Sequence, residues 1–326
     1  MIEQKLKRMT ACALLSVSII SSHGWCQPAY PAKPIFITVG LQAATGSDIA
    51  VRSVAERMAV PLGQQIVIEN LPGASGVLAA VKVAKAPPDG YSLAALSNAA
   101  MTILPNLEKV PYDPFKDLVP VAFVSAFPSV LFTHPSVPAK SVQEFIALAK
   151  RKPKQLTYAS GGNGSTQHLA MEIFKSTVGI DLLHVPYKGS MQATLDVASG
   201  RVDAGFQGIS TVLQFVQAGK LRALAWSGAQ RFALFPELPT IQEAGVAGFV
   251  YEPWTGFFAP AATPKDIVNR LNTEVRKASS QADLVKRWGT QGLDSKDVTP
   301  EQLAGMIRDE NSRHAKLISE KGIRID

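Results

Sequence analysis

From position 156 to 169 the chain reads Leu156-Thr157-Tyr158-Ala159-Ser160-Gly161-Gly162-Asn163-Gly164-Ser165-Thr166-Gln167-His168-Leu169. Thr157 and Tyr158 favour extended backbone, and Gly161, Gly162 and Gly164 allow a tight turn with close main-chain approach. Ser165 or Thr166 can cap a helix that runs on through Leu169, Ala170, Met171, Ile173 and Phe174. At a junction of strand, glycine loop and helix the free N–H groups point outward and carry partial positive charge, which suits a carboxylate or phosphate. A plain connecting turn with no ligand uses the same residues.

The pattern recurs along the chain. Pro34-Ile35-Phe36-Ile37-Thr38-Val39 reads as a buried strand, Gly40 to Ser47 as a loop, and Ser47-Asp48 as the start of a helix through Met58. Gln65 to Glu69 is the next strand, Leu71-Pro72-Gly73-Ala74-Ser75-Gly76 a small-residue loop before a helix, and Ser92 to Leu96 a third strand after the turn Pro87-Pro88-Asp89-Gly90-Tyr91. Such repeats predict βαβ architecture with largely parallel sheets and ligands at the carboxyl ends of the strands. A second unit follows, with strands Ser129–Thr133, Val202–Phe206 and Leu221–Trp226, and helices Met191–Ser199 and Gln214–Ala218. Phe249 to Pro260 then returns as an extended aromatic segment, and helices start near Thr263-Pro264 and Thr299-Pro300. The prediction is an α/β protein of two domains: residues 30–125 with 254–326, and residues 126–253. A chain that leaves one α/β unit and comes back crosses twice, so the two crossings form a hinge beside a ligand cleft.

Composition removes several functions. The 326 residues are 46% hydrophobic and 18% charged, ordinary for a globular protein with enough chain for two cores. Lys5, Lys7 and Arg8 precede the short apolar run Ala11 to Ile20, the three-part form of a secretory signal; it is expected to occupy residues 1–29, with cleavage between 24 and 29. Cys12 and Cys26 are the two cysteines, so an internal disulfide is not expected after cleavage. Export without disulfides fits the periplasm of a Gram-negative bacterium. The net charge is +7, and removing Glu3, Lys5, Lys7 and Arg8 leaves +5. The basic residues are scattered, without a stripe interleaved with aromatics, so no nucleic-acid partner is expected.

Catalysis and metal binding are the alternatives to capture alone. Ser165 with His168 could be a nucleophile and base, as in an exported esterase, but no G-x-S-x-G elbow appears. His134, His168, His184 and His314 lack metal-ligand spacing, so neither metal nor cofactor is expected, and His168 and His184 read as hydrogen-bonded structural residues. Tyr187 and Lys188 either rim a cleft or fix a turn. Trp254 and Phe257 read as packing around the hinge.

Tyr30-Pro31-x-Lys33-Pro34-Ile35, Glu69-Asn70-x-Pro72-Gly73-Ala74, Pro88-Asp89-Gly90-Tyr91, Tyr112-Asp113-Pro114, the loop from Ser160 to Leu169, His184-Val185-Pro186-Tyr187-Lys188-Gly189, Gly219 to Ala225, Pro239-Thr240-Ile241-x-Glu243-Ala244-Gly245 and Ala259-Pro260-x-x-Thr263-Pro264 together resemble one family. It is the solute receptors of tripartite tricarboxylate transporters, the Bug or TctC-like receptors. The resemblance implies a two-lobed, type II-like periplasmic binding protein that closes on a small carboxylate and holds it with main-chain amides and small hydroxyls. It implies ligand-binding positions at Ser160, Gly162, Gly164, Ser165 and Thr166 in the second lobe. In the first lobe it implies Ala44, Thr45, Ser47 and Asp48, then Ala74 and Ser75, then Ser97 and Asn98. Asp203 and Gln207 are expected at a strand end facing the cleft. The implied partners are a di- or tricarboxylate, aromatic acid or acidic amino acid, and the permease subunits that receive it, with the receptor a monomer.

One departure stands out. The family's first loop carries prolines and paired glycines, whereas this chain has Gly40-Leu41-Gln42-Ala43-Ala44-Thr45-Gly46-Ser47-Asp48. Ala44 and Thr45 give up positive-φ freedom, so a reshaped first-lobe floor is expected. That loop is the one support for an alternative in which the fold survives as a signalling or partner-binding protein.

Overall fold

A computed structural model describes residues 30–233 and 235–324; the expected export signal, with both cysteines, lies outside the described residues. The first sheet contains β1 (Ile35–Val39), β2 (Ile66–Asn70), β3 (Ser92–Ser97), β4 (Leu118–Ala126) and β10 (Trp254–Pro260), in the order β2-β1-β3-β10-β4. β1 lies parallel to both β2 and β3, with Ile37 opposite Ile68 on one side and Leu93 on the other. β10 enters antiparallel between β3 and β4. Ile35, Ile37 and Val39 are fully buried, as expected of a central strand covered on both faces.

The second sheet contains β5 (Ser129–Thr133), β6 (Thr157–Ser160), β7 (Leu183–Pro186), β8 (Ala204–Gly208) and β9 (Arg222–Trp226), in the order β7-β6-β8-β5-β9. It repeats the first: β6 pairs in parallel with β7 and β8, and β5 is the antiparallel strand between β8 and β9. The antiparallel strand arrives from the other lobe in each case. β5 follows β4 directly, and β10 returns after the last strand of the second sheet. The two crossings are tied together where Phe127 N–H donates to Pro253 O at 2.8 Å. This is the two-lobed α/β architecture anticipated from the repeated strand–loop–helix units.

Helices α1 (Gly46–Leu62) and α2 (Val77–Ala84) follow β1 and β2, and a π-helical turn (Ala99–Ile103) with the short α3 (Leu104–Leu107) follows β3. In the second lobe α4 (Val142–Arg151) precedes β6, and α5 (Thr166–Val178), α6 (Ser190–Ala198) and α7 (Ile209–Gln217) follow β6, β7 and β8. α8 (Lys265–Ser279), α9 (Ala282–Gly289) and α10 (Pro300–Lys321) complete the chain. α10 opens with a capping box in which Thr299 Oγ1 accepts the Gln302 N–H at 3.2 Å and Gln302 Oε1 accepts the Thr299 N–H at 2.8 Å. It packs Leu303 and Ile307 into the first lobe's core, while Ile318 joins the second lobe's core around Phe145, Phe174 and Phe206. Among the described residues, no helix is long and apolar enough to cross a membrane.

Candidate functional site

The carboxyl ends of β1, β2 and β3 face those of β6, β7 and β8 across a cleft of about 830 Å³, within the range of small-molecule sites. Gly40 to Gln42, Thr45 to Ser47, Pro72 to Ser75 and Ser97 line it from the first lobe, and Gly161 to Asn163, Ser165 to Gln167, Pro186 to Ser190, and Gln207 to Thr211 apart from Ile209 line it from the second. Phe127, on the first crossing, forms part of the wall.

Local sequence explains the lining. Gly162 sits at φ 121° and Gly164 at φ 67°, so the loop after β6 turns back on itself at two positions that side-chain-bearing residues adopt only under strain. Ser165 caps α5, its Oγ accepting the His168 N–H at 3.2 Å. Ser165 Oγ thus serves the helix start. The first turns of four helices reach the cleft: Gly46 and Ser47 of α1, Thr166 and Gln167 of α5, Ser190 of α6, and Ser210 and Thr211 of α7. Each N-terminus carries roughly half a positive charge. Among the described residues lining the cleft only Glu108 and Lys188 are charged, and both are solvent-exposed. The field inside is therefore set by N–H dipoles and hydroxyls rather than by formal charges.

Thr45, Ser47, Ala74, Ser75, Ser97, Gly162, Ser165, Thr166 and Gln207, all expected in the site, line the cleft. Six expected positions do not. Asp48 is 2% exposed and turned inward: Oδ2 accepts the Ala44 N–H and Arg52 Nε, both at 2.9 Å, and Oδ1 accepts Asn70 Nδ2 at 2.8 Å. Burial alone raises its pKa, but the bonds from Arg52, Asn70 and Ala44 outweigh that and hold the carboxyl below its ordinary range. Ala44 stands behind the lining at φ 62°, in the left-handed region that its Cβ was expected to disfavour, with its N–H given to Asp48. Asn98 points away from the cleft, its Nδ2 donating to Glu310 on α10 at 2.9 Å. Ser160 lies beneath the loop, its Oγ 2.7 Å from His184 Nε2 and accepting the Gly162 N–H at 3.1 Å. The Gly164 N–H is used by His168 Nδ1 at 3.1 Å.

Asp203 is the clearest correction. It stands at the opposite end of β8, where Oδ2 accepts the Thr157 N–H and Oγ1–H, both at 2.8 Å. Gln207 lies four residues further along the strand, on the order of 13 Å away at strand rise. Only one of the two ends of β8 can face the cleft, and it is the carboxyl end.

Under the glycine loop, the rings of His168 and His184 stack with centroids 4.2 Å apart, and Tyr158 stacks on His184 at 4.7 Å. Burial, then the nearby His168 and Lys175, push the His184 imidazole down to about 3. His184 is thus a neutral strut, linked through Ser160 to the Gly162 N–H.

Sequence reasoning missed Gln42, Asn163, Gln167, Ser190, Ser210 and Thr211. The last two were lost because α7 was expected to start at Gln214, whereas it starts at Ile209. The run Gln207-Gly208-Ile209-Ser210-Thr211 carries the same strand–glycine–hydroxyl signature as the central loop. Tyr187 and Lys188 prove to rim the cleft, with Tyr187 Oη donating to Asp196 at 2.7 Å.

The chain matches the description "Tripartite tricarboxylate transporter family receptor" over residues 50–323. Protein BugT of Bordetella pertussis is 34% identical over 301 residues, covering 91% of each chain. The Rhodopseudomonas palustris protein MatC, solved with bound malate, superposes with a TM-score of 0.83 at 31% identity, covering 89% of this chain and all of that one. The R. palustris protein Rpa4515, solved with adipate, gives 0.86 at 32% identity, covering 90% and 99%. With a family match across most of its length and a BugT-like sequence, the chain belongs to the receptors of the tripartite tricarboxylate transporter family.

Proposed function

We propose that this protein is a periplasmic receptor that captures a small organic carboxylate and delivers it to a tripartite tricarboxylate-type membrane permease. The observation that carries the reading is the meeting of four helix N-termini, with small hydroxyls, on one cleft whose described lining holds no arginine. A carboxylate entering it accepts hydrogen bonds from fixed N–H groups in a site that excludes water as the lobes meet, where such bonds strengthen. Capture of this kind needs no bond-making, and Ser165 is read as a cap rather than a nucleophile. The malate and adipate of the two R. palustris relatives support a dicarboxylate, with tricarboxylates, aromatic acids and acidic amino acids as the remaining members of the class.

The test is a thermal-shift screen against mono-, di- and tricarboxylates, aromatic acids and amino acids. A ligand at about a hundred times its Kd adds roughly 2.7 kcal/mol of stability. At about 2–4 °C per kcal/mol for large domains, that is a shift of roughly 5–10 °C. A shift with one acid class supports the reading. No shift with any acid overturns it and favours a partner-binding role for the fold.

A further inference from the structure

The departure in the first loop has a counterpart on the opposite lobe. Gln42 Nε2 crosses the cleft and donates to Lys188 O at 3.3 Å, although the two residues are 146 positions apart. The Gln42 carboxamide lies directly on Gly189: a Cβ built there would stand 1.8 Å from Nε2, 2.1 Å from Cδ and 2.2 Å from Oε1. Gly189 has φ 173° and ψ 159°, ordinary extended backbone that any residue adopts. Its own conformation therefore does not call for glycine; the carboxamide lying on it does.

A second crossing stands on a neighbouring loop. Ser75 Oγ donates to Asn163 O at 3.1 Å, and Ser75 is held at φ 51° in the left-handed region to do so. Both donors are first-lobe side chains, and both acceptors are main-chain carbonyls of the second lobe. Neither bond consumes a main-chain N–H group that a carboxylate could use. Gly46 makes the lobes close at a third point, where an added Cβ would stand 2.7 Å from Ser210 Oγ.

We propose that Gln42 and Gly189 form a latch that holds the lobes closed without help from the ligand's charge. This deepens the receptor reading above by naming the residue pair that closes the cleft. Closure stabilised in this way populates the closed conformer before any ligand arrives.

The experiment is small-angle X-ray scattering on ligand-free protein, fitted as a mixture of closed and open conformers, for wild type, Gln42→Ala, Gly189→Ala and the double variant. Melting curves run alongside to show that each variant folds. Loss of one hydrogen bond of ordinary strength reduces the closed-to-open ratio about two- to tenfold. Each single substitution is expected to do this, Gly189→Ala by expelling the Gln42 carboxamide, and the double variant is expected to lose no more than either alone. A wild type with no closed population, a single variant that matches wild type, or additive losses in the double variant would each overturn the latch. No ligand is used, so the result stands apart from the outcome of the carboxylate screen.

Discussion

Replacing Asp48 with asparagine exchanges one carboxylate oxygen for an amide nitrogen at a position 2% exposed. Oδ2 now accepts from the Ala44 N–H and from Arg52 Nε, and Oδ1 from Asn70 Nδ2. In either orientation of the new amide, a buried N–H meets another donor. Arg52 is half-exposed and recovers its bond from water, so the cost falls on Ala44 or Asn70, depending on the orientation, and on the amide itself. An unsatisfied buried donor costs about 1–3 kcal/mol, and we expect Asp48→Asn to lose about 2–3 kcal/mol, or roughly 4–12 °C in Tm. Ala44 then has less reason to stay at φ 62°, and Thr45 to Ser47 shift with it, so ligand affinity falls although Asp48 does not line the cleft.

The pH dependence separates this mechanism from a generic packing defect. Asp48 has a lowered folded-state pKa, so its contribution is fully present above the ordinary value of 3.8 and is lost as pH falls through the lowered one. Urea melts from pH 7 down to pH 3 and below provide the assay. The gap between wild type and Asp48→Asn is expected to be widest near neutrality and to narrow in acid. A variant within about 0.5 kcal/mol of wild type at pH 7, the scatter of an ordinary surface substitution, would refute the reasoning. So would a deficit that persists unchanged in acid.

Other expectations are narrower. Gly162→Val places a β-branched residue at φ 121° with its Cβ 3.0 Å from Tyr187 O, a strain of about 1–3 kcal/mol; calorimetry should show at least a tenfold loss of carboxylate affinity. His184 is held neutral by a depressed pKa, so its contribution is complete above 6.5 and is lost as pH falls toward about 3. Tm against pH should decline through that window in wild type and less steeply in His184→Gln. Thr299→Ala removes one half of the α10 capping box and should cost about 1 kcal/mol in urea melts, with ligand affinity unchanged.

The fold was legible because its signals are local. Strands such as Ile35–Val39 read as apolar runs, and the glycine–hydroxyl junctions after β1 and β6 mark the carboxyl ends where the cleft lies. The inward-turned residues were not legible, since what turns them is remote in sequence. Asp48 answers to Asn70, Asn98 to Glu310, and Ser160 to His184. A side chain's residue type announces that it can bond a ligand, but only the tertiary neighbours show whether a buried partner has claimed it first. Asp203 failed for a different reason: strand direction decides which end meets the cleft, and period-2 patterning carries no direction. Gln42 was invisible as a crossing residue because its acceptor, Lys188 O, belongs to the other lobe.

Isothermal titration of the protein with malate, adipate, citrate, benzoate and glutamate, in wild type and Gly162→Val, tests the central claim most directly. The account predicts saturable one-to-one binding of at least one of these acids by wild type and its loss in the variant. Binding that survives unchanged in Gly162→Val, or no binding of any acid by folded wild type, would contradict it.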